Sequence, residues 1–225
     1  MSYAVFLKIE QTTHARFEQI RNQLMTGTSE SQSKQLGIVL SDIACQIIEQ
    51  VFTELLMQQK QSNTQIQSIA DDSEKVIQQV LAALKKYLPW SVSFFSNERL
   101  VPMVNYLAGL VRHQNQDLFI RYFIDPLLVQ DTLSYVDKVR EGQISYVPKA
   151  FHALTKIVDQ GVTCLIREPK HLLKFNLVVD KTLNGVIHMT THLGYKRLEK
   201  LGTQIDLDMA NDYIEHFLAF LRKEA

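Results

Sequence analysis

Apolar positions between Ser33 and Leu88 recur with helical spacing, and they give the clearest pattern in the chain. Leu36, Leu40, Ile43, Ile47, Val51 and Leu55 fall three to four residues apart and hold one face over about five turns. The short polar segment Lys60-Gln61-Ser62-Asn63-Thr64 reads as a helix–helix connection. Beyond it Ile66, Ile69, Val76, Val80 and Ala83 form a second seam in which Ser73 occupies one position. Ile77, Leu81, Leu84 and Leu88 widen that seam. Two helices of about 25 residues predict a long antiparallel hairpin from Ser33 to Leu88, roughly 35 to 40 Å in length. The seam is too irregular for a strict coiled coil, so a helical bundle fits better.

The remaining pattern predicts further helices. A first helix is expected from Tyr3 to Met25, with Phe6, Phe17, Ile20 and Leu24 in its stripe and a stop at Gly27. Pro89 is expected to end the third helix, and Leu100–Val111 to be helical beyond Pro102. Asp125-Pro126 places a capping side chain before a proline at the first helical position, and Gly142 closes the helix after Arg140. Another helix is expected between Pro148 and Gly161. Glu168-Pro169 opens a long one that runs to Gly202. A last helix starts near Asp206 or Asp208, with Leu207, Ala210, Ile214, Phe217 and Leu221 on its buried face and Arg222 and Lys223 at its negative end. No two-residue alternation persists long enough to argue a sheet. The expected fold class is therefore all-α, a multi-helix bundle of about seven to nine helices built on the long antiparallel hairpin. Residues 1–225 are read as one domain, with any subdivision falling near 89 between a long-helix part (1–88) and an apolar helical part (89–225).

Composition agrees with a helical reading, because Gly and Pro together number only 13 in 225 residues. Glutamine is concentrated between Gln11 and Gln79, where it suits the solvated side of long helices. Charge changes the functional picture more. Lys plus Arg equals Asp plus Glu at 24 each. The one basic tilt, over residues 167–200, is followed at once by Asp206, Asp208, Asp212 and Glu215. With no helix-turn-helix or zinc-finger spacing, nucleic acid is not an expected partner. Cys45 and Cys164 stand far apart among apolar neighbours and read as reduced and inert. The N-terminal apolar run stops at Lys8 without a basic leader, and no uncharged stretch is long enough to span a bilayer, so a cytoplasmic protein is expected.

Two constellations carry candidate chemistry. His188 and His192 lie one turn apart on one helix face, continuing a column through Asp180 and Asn184, and two such imidazoles can converge on one metal ion. The glutamate of a His-Glu-x-x-His motif is missing, and a solvated helix face accounts for the column more simply. Trp90, Phe94 and Phe95 lie in an uncharged segment flanked by Lys85, Lys86 and Arg99. They predict either burial across the bundle end or an interaction patch for a partner, for a second copy or, least favoured, for a membrane surface. No nucleophile elbow, phosphate loop or cofactor motif is present, and no cofactor is expected. The expectation is a non-enzymatic helical protein acting through protein–protein contacts, self-association included. The alternatives are a metal-dependent or small-molecule-processing enzyme using His188 and His192, and a peripheral membrane protein.

Overall fold

The computed structural model describes residues 2–53 and 67–224. It is mostly helical, and a four-stranded antiparallel sheet corrects the all-α expectation. Strand β1 (Ser2–Ile9) leads into α1 (Gln11–Thr26), α2 (Ser33–Ile48) and a wider π-type turn at Glu49–Thr53. Helices α3 (Gln67–Val92) and α4 (Asn97–Leu110) precede the hairpin of β2 (Val111–Gln114) and β3 (Asp117–Ile124). Then come α5 (Pro126–Arg140), α6 (Val147–Val162), a second π-type turn at Thr163–Arg167, and α7 (Glu168–Leu173). Helices α8 (Leu177–Leu201) and α9 (Leu207–Leu218) lead to β4 (Leu221–Glu224).

The sheet runs β2-β3-β1-β4, with Val5 opposite Tyr122 and Leu221. Its inner face, including Val5, Leu7, Tyr122 and Ile124, joins the main core. Its outer face forms a small cluster of sheet residues alone, Ala4, Phe6 and Phe119. The Arg222 guanidinium covers these two rings at 4.8 and 4.6 Å from their centroids. Arg121 lies 4.5 Å over Phe123 and binds Glu224 through both carboxylate oxygens at 2.8 and 2.9 Å. Cation–π cover of this kind lets aromatics occupy the face that would otherwise be polar. That is why the alternation of an ordinary half-buried strand is missing from Ser2–Ile9, which was expected to be helical. Arg222 and Lys223 accordingly belong to β4 rather than to the end of a helix.

Punctuation residues divide into those that act locally and those used for packing. Asp125 caps α5 by accepting hydrogen bonds from the Leu127 and Leu128 amides at 2.7 and 3.3 Å, and Gly27 and Gly142 take the left-handed conformation as stops. Pro89 does not end α3, which continues to Val92, so Trp90 lies on a helical turn rather than in an irregular segment. The backbone of Pro89 packs on Gly37, where an added Cβ would lie 2.6 Å from the proline Cα. Gly161 likewise does not end α6. It makes room for Tyr122, whose hydroxyl oxygen would meet an added Cβ at 2.7 Å. The expected helix from Glu168 to Gly202 breaks at Lys174, a left-handed non-glycine residue with φ 48°. Arg99 holds that break by donating to the Leu173 and Lys174 carbonyls at 2.6 and 2.7 Å. Asn176 then caps α8 by accepting from the Val179 amide at 3.0 Å. The connection of the expected Ser33–Leu88 hairpin lies outside the described residues.

Candidate functional site

The apolar faces of α2, α3, α6 with its π-type turn, and α8 do not close on one another. Together with the inner face of the sheet they surround a cavity of about 240 Å³. β1 supplies Val5, Leu7 and Ile9, three alternate residues that share a face of the strand. α2 lines the cavity from Leu40, and the π-type turn extends that wall to Phe52, so this side is roughly 18 Å long at ~1.5 Å per residue. Opposite lie Leu84 and Leu88 of α3 and Val186 and Ile187 of α8. α3 and α8 are antiparallel neighbours, since Arg197 near the end of α8 donates to Ser73 near the start of α3 at 2.7 Å. The shape is elongated.

Among the described lining residues none is acidic, and the side chains with polar atoms are His14, Tyr87, Ser91, Tyr122, Lys170, Thr190 and Thr191. Several of these hydroxyls are already engaged within their own helices. Ser91 donates to the Leu88 carbonyl at 2.9 Å, Thr190 to Val186 at 2.9 Å and Thr191 to Ile187 at 2.7 Å. Burial pushes the Tyr122 phenol well above its ordinary range and lowers the pKa of His14. His14 is therefore held towards its neutral form, with its ring edge-on to His113 at 5.7 Å. Lys170 is nearly buried in the cavity wall and pairs with Asp180.

The wall is braced at the second π-type turn. Arg167 binds Asp159 at 2.8 Å and donates to Thr163 at 2.7 Å, while the Tyr195 hydroxyl of α8 donates to Asp159 at 2.8 Å. Burial pushes the Asp159 carboxyl up, but Arg167 and Tyr195 outweigh it and hold the group below the usual carboxylate range. Nearby, Tyr106 donates to the Cys164 carbonyl at 3.0 Å and its oxygen lies 3.3 Å from Cys164 Sγ. Both cysteines are free, Cys45 buried and Cys164 half-buried.

No known protein family, curated protein or solved structure matches this chain. Among the described residues this partly open apolar space carries a few hydroxyls, several already engaged, and brings no acid, base and nucleophile together. It offers a solvent for a hydrocarbon group.

The residues singled out in the sequence lie elsewhere or at the margin of this space. His188 and His192 are both exposed on α8, with rings stacked at 6.0 Å and 24°. No group of three or more His, Cys, Asp or Glu side chains able to hold a metal occurs among the described residues. Trp90 and Phe94 are 36% and 51% exposed, and Phe95 is buried at 5%. Phe95 packs edge-on against Phe175, a cavity residue, at 4.7 Å. Sequence reasoning named much of the α2 and α3 wall as a core stripe and missed Ile187, Thr190 and Thr191. The available signal was the extra width of the apolar faces, which exceeds what one neighbouring helix can cover. The same width makes Ser33–Thr53 apolar and long enough to cross a membrane by length and composition. Here that run packs on α3 and β1 and lines the cavity.

Proposed function

We propose that the protein is a non-catalytic, cytoplasmic binding protein that holds an elongated apolar small molecule between α2, α3, α6 and α8. The observation that carries this reading is the cavity itself. At about 240 Å³ it exceeds the ~150 Å³ of an apolar cavity that stays dry and takes up benzene or xenon. Apolar walls that meet neither protein nor ligand forgo dispersion contacts, at a cost in stability. A hydrocarbon occupant removes most of that cost. The arms α2 and α3 form the antiparallel hairpin of this frame, a reading supported by the contact of Gly37 with Pro89 and by the field of Lys85 at Cys45.

The test is saturable binding of an environment-sensitive apolar dye to delipidated protein, with mass spectrometry of the solvent extract identifying what co-purifies. Ala44→Trp and Ala83→Trp, which fill the space from two walls, should weaken dye binding at least tenfold with unchanged circular dichroism. Dye binding indifferent to both substitutions overturns the reading. A second reading, contact with another copy of the chain, is favoured by the exposed edge-on pair of Trp90 and Phe94 at 5.1 Å. It predicts concentration-dependent dimerisation that Phe94→Asp abolishes.

A further inference from the structure

Where Tyr87, Leu173 and Phe175 line the cavity, several large apolar side chains close by in the chain are exposed. A chain of edge-on aromatic contacts leads outward from the cavity wall, Tyr87 to Trp90 at 6.2 Å and Trp90 to Phe94 at 5.1 Å. Because α3 and α8 are antiparallel, the Trp90 end of α3 lies beside the start of α8. There Leu177 and Val178 are 71% and 74% exposed, and Leu172 of α7 is exposed as well. Phe175, between α7 and α8, joins the two parts by packing on Phe95. Exposed apolar side chains on two separate segments thus border an apolar cavity.

Charge surrounds the same patch. Lys181 follows Leu177 and Val178 by four and three residues, so it shares their helix face. Lys86 lies 5.2 Å over the Tyr87 ring, Arg99 lies 4.7 Å over Phe95, and exposed Lys174 occupies the break between α7 and α8. The carboxylates of these segments are Glu98, Glu168 and Asp180, the last already bound to Lys170. Apolar side chains bordered by cations match the chemistry of an anionic bilayer, whose headgroups attract the lysines while the apolar groups enter the interface. A soluble protein partner would supply no hydrocarbon for the cavity. We propose that the Trp90–Leu177 rim docks on anionic membrane and gives the cavity access to a lipid-derived ligand, an inference that rests on the binding reading above.

Trp90 is the only tryptophan, so its emission reports on the rim directly. Vesicles of phosphatidylcholine with phosphatidylserine should shift that emission to the blue and co-sediment the protein. Phosphatidylcholine alone should bind at least tenfold more weakly, and salt should reduce binding to the mixed vesicles. Leu177→Asp with Val178→Asp, and separately Lys174→Glu with Lys181→Glu, should each weaken vesicle binding at least tenfold. Neither pair lines the cavity, so both should leave unchanged the binding of a dye added in solution. Absent vesicle binding, equal binding to both lipid mixtures, or variants that bind as well as the parent overturns the docking proposal. So does a blue shift that grows with protein concentration without lipid, which would show a second copy covering the rim. If dye binding persists in those cases the cavity reading survives. If dye binding is lost while vesicle binding keeps its dependence on the rim residues, the cavity reading is what falls.

Discussion

The helices on the two sides of the inner sheet face are built from similar apolar stripes and reach opposite outcomes. On one side α5 and the parts of α6 and α9 ahead of the residues they lend to the cavity pack closed: Phe151, Val136 and Ile214 are fully buried, and Phe151 lies edge-on to Tyr213 at 5.8 Å. Gly202 lets the chain approach so closely that an added Cβ would lie 2.8 Å from the Phe151 Cβ. On the other side Ile43, Ile47, Leu84, Val186 and Ile187 are only half-buried, because their faces turn towards the cavity. An apolar stripe states that a face avoids water. Whether it meets protein or a gap depends on how many neighbours reach it and at what distance.

Substitutions should separate the two sides, beginning with the closed one. Phe151→Ala removes a ring with no room for its neighbours to relax and should cost about 3 to 5 kcal/mol in urea unfolding. A loss below 1 kcal/mol would show that this side is no better packed than the other. Gly161→Ala, at the border between them, forces Tyr122 to move and should cost about 1 to 3 kcal/mol by the same measurement. Leu84→Ala trims a side chain that already faces the cavity and should cost less than about 2 kcal/mol, below the usual range for a buried leucine. Ala83→Leu should reverse the sign, raising the melting temperature of ligand-free protein by an amount equivalent to about 0.5 to 2 kcal/mol. Destabilisation by Ala83→Leu would mean that the walls have no space to fill.

A smaller effect concerns protons. His14 titrates lower folded than unfolded because it is buried, so the unfolded chain binds the extra proton first. Its contribution to stability is complete above about pH 6.5 and is lost as pH falls through the folded-state value. Urea midpoints measured between pH 8 and 5 should decline, and His14→Gln should flatten part of that decline.

Much of the helical frame was legible because its signals are local. The Asp125 cap, the Gly142 stop and the stripe from Leu36 to Val51 depend on residues within a turn or two. The sheet was not legible, because the cover that permits Phe6 and Phe119 on its outer face comes from Arg222, distant in sequence. Pro89 and Gly161 misled for the same reason: each looks like a stop, and each is placed by a partner across the fold, Gly37 and Tyr122. The break at Lys174 depends on Arg99, more than seventy residues earlier. Of the candidate site, the exposed Trp90 and Phe94 could be singled out as unusual, but the cavity beside them could not. A void is a property of the distance between walls, and no single segment records that distance.

The position of β1 has a consequence for how the chain is made. It precedes its sheet partners β3 and β4 in the chain and lies between them, so it meets one only after Asp117–Ile124 and the other only after Leu221–Glu224. During synthesis the ribosome therefore releases an unpaired apolar strand, Ala4 to Leu7, long before either edge is available to it. The helices between can form early from nearby contacts, whereas registry of the sheet must wait until Leu221–Glu224 has emerged. Ala4 to Leu7 therefore stays without a partner strand while more than a hundred further residues are made, and through that interval its apolar edge is open to pairing with the wrong chain.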